Sequence, residues 1–112
     1  MCISVTIKDI GVQNDVYPEK GMEIVLVCSV SNFDLDIYVY KTAQPVTGMD
    51  ASICRCNVNK CTSYSPRYTF RGNNSGIYIS FPPLNRSLDQ AYWTCANDAG
   101  QNKSVNLLVY SK

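Results

Sequence analysis

The apolar residues of this chain recur at every second position, in runs too short to be anything but strands. Ile3, Val5 and Ile7 alternate with Ser4, Thr6 and Lys8 until Gly11 and Asn14-Asp15 break the run. Ile24, Leu26, Cys28 and Val30 line one side of a second run. Residues 37–40 form a third and 68–70 a short fourth. Positions 72–76 read as a turn, after which Ile77, Ile79 and Phe81 alternate. Pro82-Pro83 ends that run, because proline cannot donate to a ladder. Ala91, Trp93 and Cys95 alternate with Tyr92 and Thr94, a hairpin turn follows at 97–100, and Val105, Leu107 and Val109 close the pattern. No window of helical length repeats its apolar residues at the helical period. About eight short strands joined by turns point to an all-β sandwich. The segment 42–66 is the least regular and holds three of the cysteines.

A chain of 112 residues has room for one domain, expected to span 1–112. Its 46% hydrophobic content is enough for a core. Ten basic and nine acidic residues are interspersed, which argues against a nucleic-acid partner. Six cysteines in so short a chain imply three disulfides and an oxidising compartment, hence a secreted or cell-surface protein. The longest uncharged apolar stretch, 24–30, is far too short to span a bilayer. Met1 reads as a start placed before a mature extracellular fragment, with any membrane anchor outside it. The chain has no histidine, so every Ser-His or Cys-His dyad and the commonest metal ligand are missing. We therefore expect no enzyme, no catalytic residue, no metal and no cofactor.

The approach to the last cysteine, Asp89-Gln90-Ala91-Tyr92-Trp93-Thr94-Cys95, resembles the Asp-x-Gly/Ala-x-Tyr-x-Cys pattern of the immunoglobulin superfamily. Ile24-x-Leu26-x-Cys28, the turn after Cys95 and Leu107-x-Val109 also match that family in order, of its intermediate or variable-like set. The resemblance covers nearly the whole chain. It implies a two-sheet immunoglobulin-like Greek-key sandwich with an inter-sheet disulfide between Cys28 and Cys95, whose strand phases agree. It also implies a salt bridge between Arg67 and Asp89 at the sandwich edge. Two positions depart from the pattern. Val39 stands where the strand-C tryptophan is expected, and Trp93 where the corner tyrosine is expected. The indole N–H of Trp93 can still donate to a backbone carbonyl. The family's Phe/Trp-Gly-x-Gly segment is missing, which argues against an antigen-receptor variable domain.

Strand geometry disfavours a Cys54–Cys56 bridge, so Cys61 is expected to pair with Cys54 or Cys56, leaving the other to pair with Cys2, stay free or bond another chain. Asn73, Asn85 and Asn102 each head an Asn-x-Ser sequon and are candidate glycosylation sites. Asp34, Asp36 and Asp50 lack the spacing of a calcium loop and read as loop residues. If Ile37 and Val39 face the core, Tyr38 and Tyr40 face outward, as does Tyr92 on the strand the family places beside them. Three tyrosines on one face form a candidate protein-binding surface, the alternatives being cross-strand packing that supports the sheet, or the opposite phase with a tyrosine in place of the core tryptophan. The expected function is extracellular protein recognition in an adhesion, receptor or innate-immune setting, through a protein partner or a homophilic contact. A spacer domain of a tandem ectodomain and a small disulfide-rich effector or inhibitor are the alternatives.

Overall fold

The computed structural model describes residues 2–6, 11–29, 36–44, 52–57, 60–73 and 75–111. Ten strands are present among them: β1 (Cys2–Thr6), β2 (Gly11–Val16), β3 (Val25–Ser29), β4 (Ile37–Thr42), β5 (Cys54–Cys56), β6 (Cys61–Ser63), β7 (Thr69–Asn73), β8 (Gly76–Ser80), β9 (Ala91–Asn97) and β10 (Asn102–Leu107). One turn of helix, α1 (Arg86–Asp89), precedes β9. The strands form two sheets, one of order β1-β3-β8-β7 and one of order β2-β10-β9-β4-β5-β6. β1 and β2 run parallel to β3 and β10 respectively, and the other pairs are antiparallel.

The period-two residues supply the core. Ile3 and Val5 from β1, Leu26 and Cys28 from β3, and Ile77 and Ile79 from β8 face Ile37 and Val39 from β4, Trp93 and Cys95 from β9, and Val105 and Leu107 from β10. All are buried, and each large aliphatic contributes roughly 1.5–3 kcal/mol by leaving water. Cys28 and Cys95 are bonded across the sheets, with their Cα atoms 6.3 Å apart and a sequence separation of 67. A loop of that length stabilises by on the order of 4 kcal/mol in the chain-entropy picture.

The close approach of β8 to β3 requires a glycine. A Cβ at Gly76 (φ 154°) would lie 2.0 Å from the Cys28 carbonyl oxygen.

Three segments differ from the sequence reading. Gly11 and Asn14-Asp15 do not break the chain; they lie within β2, which pairs with the main chain of β10. Pairing of main chain with main chain does not need an alternating pattern, and an irregularity between Ser104 and Asn106 absorbs the offset. The irregular segment contains β5 and β6, each of three residues, too short for a period to show. β7 runs to Asn73 and pairs it with Gly76, so the 72–76 turn is tighter than expected. Ile7, Val30, Asp34 and Asp50 lie outside the described residues.

Candidate functional site

The register of the six-stranded sheet orders its outer face. Val39 stands opposite Cys95 and Lys41 opposite Trp93. The alternate positions therefore form outward rows: Tyr38 with Ala96 and Asn102, Tyr40 with Thr94 and Ser104, and Thr42 with Tyr92 and Asn106. Tyr38 and Tyr92 are half-buried and stand roughly 13 Å apart along the strands, four residues of rise. Tyr40 corrects the sequence reading. It lies on the expected face but is only 7% exposed, because it fills the middle row between the other two. The same row buries Thr94 and Ser104, whose hydroxyls bond each other. Tyr38 and Tyr92 are the tyrosines with open surface here.

At the upper end of this face the fold assembles a charged cluster. β5 pairs Arg55 with Tyr38, and both side chains point outward. The Arg55 guanidinium lies 5.7 Å from the centroid of the Tyr38 ring. Its Nε donates to Asp36 Oδ2 at 2.7 Å, and a second guanidinium nitrogen reaches the same oxygen. Asp98 beside the Tyr38 hydroxyl, together with burial, raises this tyrosine above its usual range. Asp98 sits at the tip of the β9–β10 turn. Asn97 builds that turn: its Oδ1 accepts from the amides of Ala99 and Gln101, and its Nδ2 donates to Gln101 Oε1. Gly100 completes it at φ 84°. Tyr38, Tyr40, Asn97, Asp98 and Gly100 line a recess of about 300 Å³. The sequence reading missed Arg55 and Asp98. Their only signals were an arginine between two cysteines and an aspartate at a turn tip.

The three-cysteine segment closes a small loop beside this cluster. Cys56 and Cys61 are bonded, with Cα atoms 4.0 Å apart, as a directly opposed pair of β5 and β6. Cys54 and Cys56, two apart on one strand, face the same buried side, so facing does not exclude a bridge between them. Cys54 Sγ lies 3.6 Å from Cys56 Sγ and carries a free thiol, which burial pushes up to about 12. Cys2 on β1 is free and exposed. Two disulfides are thus present among the described residues, not the three expected. The sulfurs of Cys54, Cys56 and Cys61 cluster within 4.8 Å, but the disulfide uses two of them and leaves one thiol, which is no ligand set.

At the opposite end, Asp89 organises the turn that enters β9. Its fully buried carboxylate accepts from Arg67 Nε at 2.8 Å, a second Arg67 nitrogen at 2.7 Å, the Tyr68 hydroxyl at 2.7 Å and the Asn85 amide at 2.8 Å. Burial alone would raise its pKa. The hydrogen bonds from Arg67, Asn85 and Tyr68 outweigh that and hold it below the usual carboxylate range. Asn85 caps α1, accepting from the amides of Ser87 and Leu88. Tyr68, Phe81 and Trp93 pack edge to face beneath, with centroids 4.8–5.0 Å apart. This cluster is structural.

Of the sequon asparagines, Asn73 ends β7 and Asn85 caps α1, both exposed, while Asn102 opens β10 half-buried, with its Nδ2 donating to the Gly100 carbonyl. All three lie away from the Tyr38–Tyr92 diagonal, although Asn102 shares the upper row with Tyr38.

A β1-β3-β8-β7 sheet facing a sheet that continues past β4 into β5 and β6, with Cys28 bonded to Cys95 between them, defines an immunoglobulin-type sandwich of variable-like strand order. Solved structures agree. The chain is similar to human T-cell immunoglobulin and mucin domain protein 1 (TM-score 0.72, 16% identity, 89% of this chain and 100% of that one). It is similar to a chicken TCR (0.69, 14%, 89% of this chain and 49% of that one). A third similar structure comes from VGSC beta subunits, studied for their multimeric cell-adhesive interactions (0.66, 20%, 93% and 97%). No protein-family model matches the chain, and neither does any curated protein. At these identities the likeness establishes the fold: the chain folds as an immunoglobulin-like sandwich.

Proposed function

We propose that the chain is an extracellular protein-recognition module that binds a protein partner, a second copy of itself included, through the outer face of β4, β9 and β10. The observation that carries this reading is the pair Tyr38 and Tyr92. They are half-buried on one sheet face whose central row is already packed and satisfied. Such rings offer contact area at low entropic cost on a rigid platform. The Cys28–Cys95 and Cys56–Cys61 disulfides support an oxidising, extracellular setting. The adhesive VGSC beta subunits use a similar fold, which makes adhesion a natural role. Glycans at Asn73 and Asn85 would leave the proposed face open.

The test replaces Tyr38 and Tyr92 together with serine and leaves the buried Tyr40 intact. The variant and the parent are compared for self-association by sedimentation and for binding to a panel of purified ectodomains. A folded variant that loses an association shown by the parent supports the face. An association indifferent to both substitutions refutes it.

A further inference from the structure

The recess at the upper end of the face has a chemistry of its own, and its interpretation rests on the recognition reading above. Tyr38 and Tyr40 line it together with Asp98 and the turn residues Asn97 and Gly100. The Asn97 side chain spends its oxygen and its nitrogen inside the turn, so it fixes Asp98 in place. Arg55, the basic group of this cluster, is paired with Asp36. The cluster of Asp36, Arg55 and Asp98 therefore carries a net negative charge, and that charge sits on Asp98. The Tyr38 ring already accepts one guanidinium over it, that of Arg55. We propose that this recess receives the guanidinium of an arginine side chain presented by the protein partner, pairing it with Asp98 and stacking it on the tyrosine rings. Arginine suits the site because its planar group can fork onto a carboxylate and lie against an aromatic face at once. The prepaid turn geometry at Asn97 lowers the ordering cost of the contact.

The probe is N-acetyl-arginine N-methylamide, with the neutral isostere N-acetyl-citrulline N-methylamide as its control, each titrated into the ¹⁵N-labelled protein. The expected result is shifts concentrated at the amides of Tyr38, Asp98, Ala99 and Gly100, with the arginine probe binding at least about tenfold more tightly than citrulline, as a charge-assisted contact should. Asp98→Asn, an isosteric change at an exposed turn tip, should reduce the arginine probe to the citrulline level without lowering the melting temperature. Equal response to both probes, shifts scattered away from the recess, or indifference to Asp98→Asn overturns the assignment. A partner that depends on Tyr38 and Tyr92 but binds Asp98→Asn unchanged overturns the recess chemistry and leaves the face standing. A partner insensitive to the serine pair overturns the face, while the titration still judges the recess.

Discussion

The indole Nε1–H of Trp93 donates to the main-chain carbonyl of Asp89 at 3.0 Å, inside the buried base of the sandwich. Tryptophan thus makes the corner bond that the family's tyrosine hydroxyl would make, and its larger ring packs against Tyr68 and Phe81. Trp93→Ala should cost about 3–5 kcal/mol through lost burial and a cavity. Trp93→Phe should cost less, about 1–3 kcal/mol, chiefly by orphaning the Asp89 carbonyl. Urea unfolding followed by circular dichroism measures both, and an alanine variant of parental stability would contradict the account.

Asp89 makes the fold acid-sensitive. Its native pKa is lowered, so the unfolded chain binds the proton more readily. The stability it contributes is complete above the ordinary aspartate value of 3.8 and is lost as pH falls below that toward the native value. Asp89→Asn should flatten the stability curve in that acid window. Arg67→Ala, which strands a buried carboxylate, should cost about 3–5 kcal/mol at neutral pH. A double-mutant cycle should return a coupling above the ~1 kcal/mol ceiling of exposed pairs. Coupling near zero would mean that Asn85 and Tyr68 suffice to hold the carboxylate.

Gly76→Ala should destabilise by at least about 1 kcal/mol, since alanine resists this backbone conformation and its Cβ would collide with the Cys28 carbonyl. Because that oxygen belongs to main chain, no side-chain rotation relieves the overlap. A melting temperature equal to the parent's would show that β3 and β8 can separate at no cost.

The two free thiols should differ sharply in reactivity. Iodoacetamide at pH 8 should label exposed Cys2 and spare Cys54, whose burial keeps it protonated. Unfolding without reductant should then expose Cys54 to the reagent. Non-reducing peptide mapping should find Cys28 with Cys95 and Cys56 with Cys61. Recovery of a Cys54–Cys61 peptide would reverse the assignment on β5.

The alternation of Ile37 with Val39 and of Trp93 with Cys95 was enough to assign the inward sides of β4 and β9, because a strand's side chains must alternate whatever lies beyond it. The motif around Cys95 carried the fold for the same local reason. Tyr40 shows where such reasoning stops. Parity gives its face, but its burial depends on rows supplied by strands far away in sequence. β5 and β6 were illegible because three residues are too few for a period to show, and β2 because its two apolar side chains, Val12 and Val16, are too sparse to form an alternating run.

The residues of the sequence, taken in order, therefore determined the strand phases, the core and the Cys28–Cys95 staple, all of which follow from local geometry or a contiguous motif. Only the tertiary structure decided that Asp36, Arg55, Tyr38 and Asp98 form one cluster, and that Cys56 rather than Cys54 bonds Cys61. Those outcomes depend on the register of β4 against β5 and β9, and of β5 against β6. Register is set by packing the whole sheet at once, and no short stretch of chain encodes it.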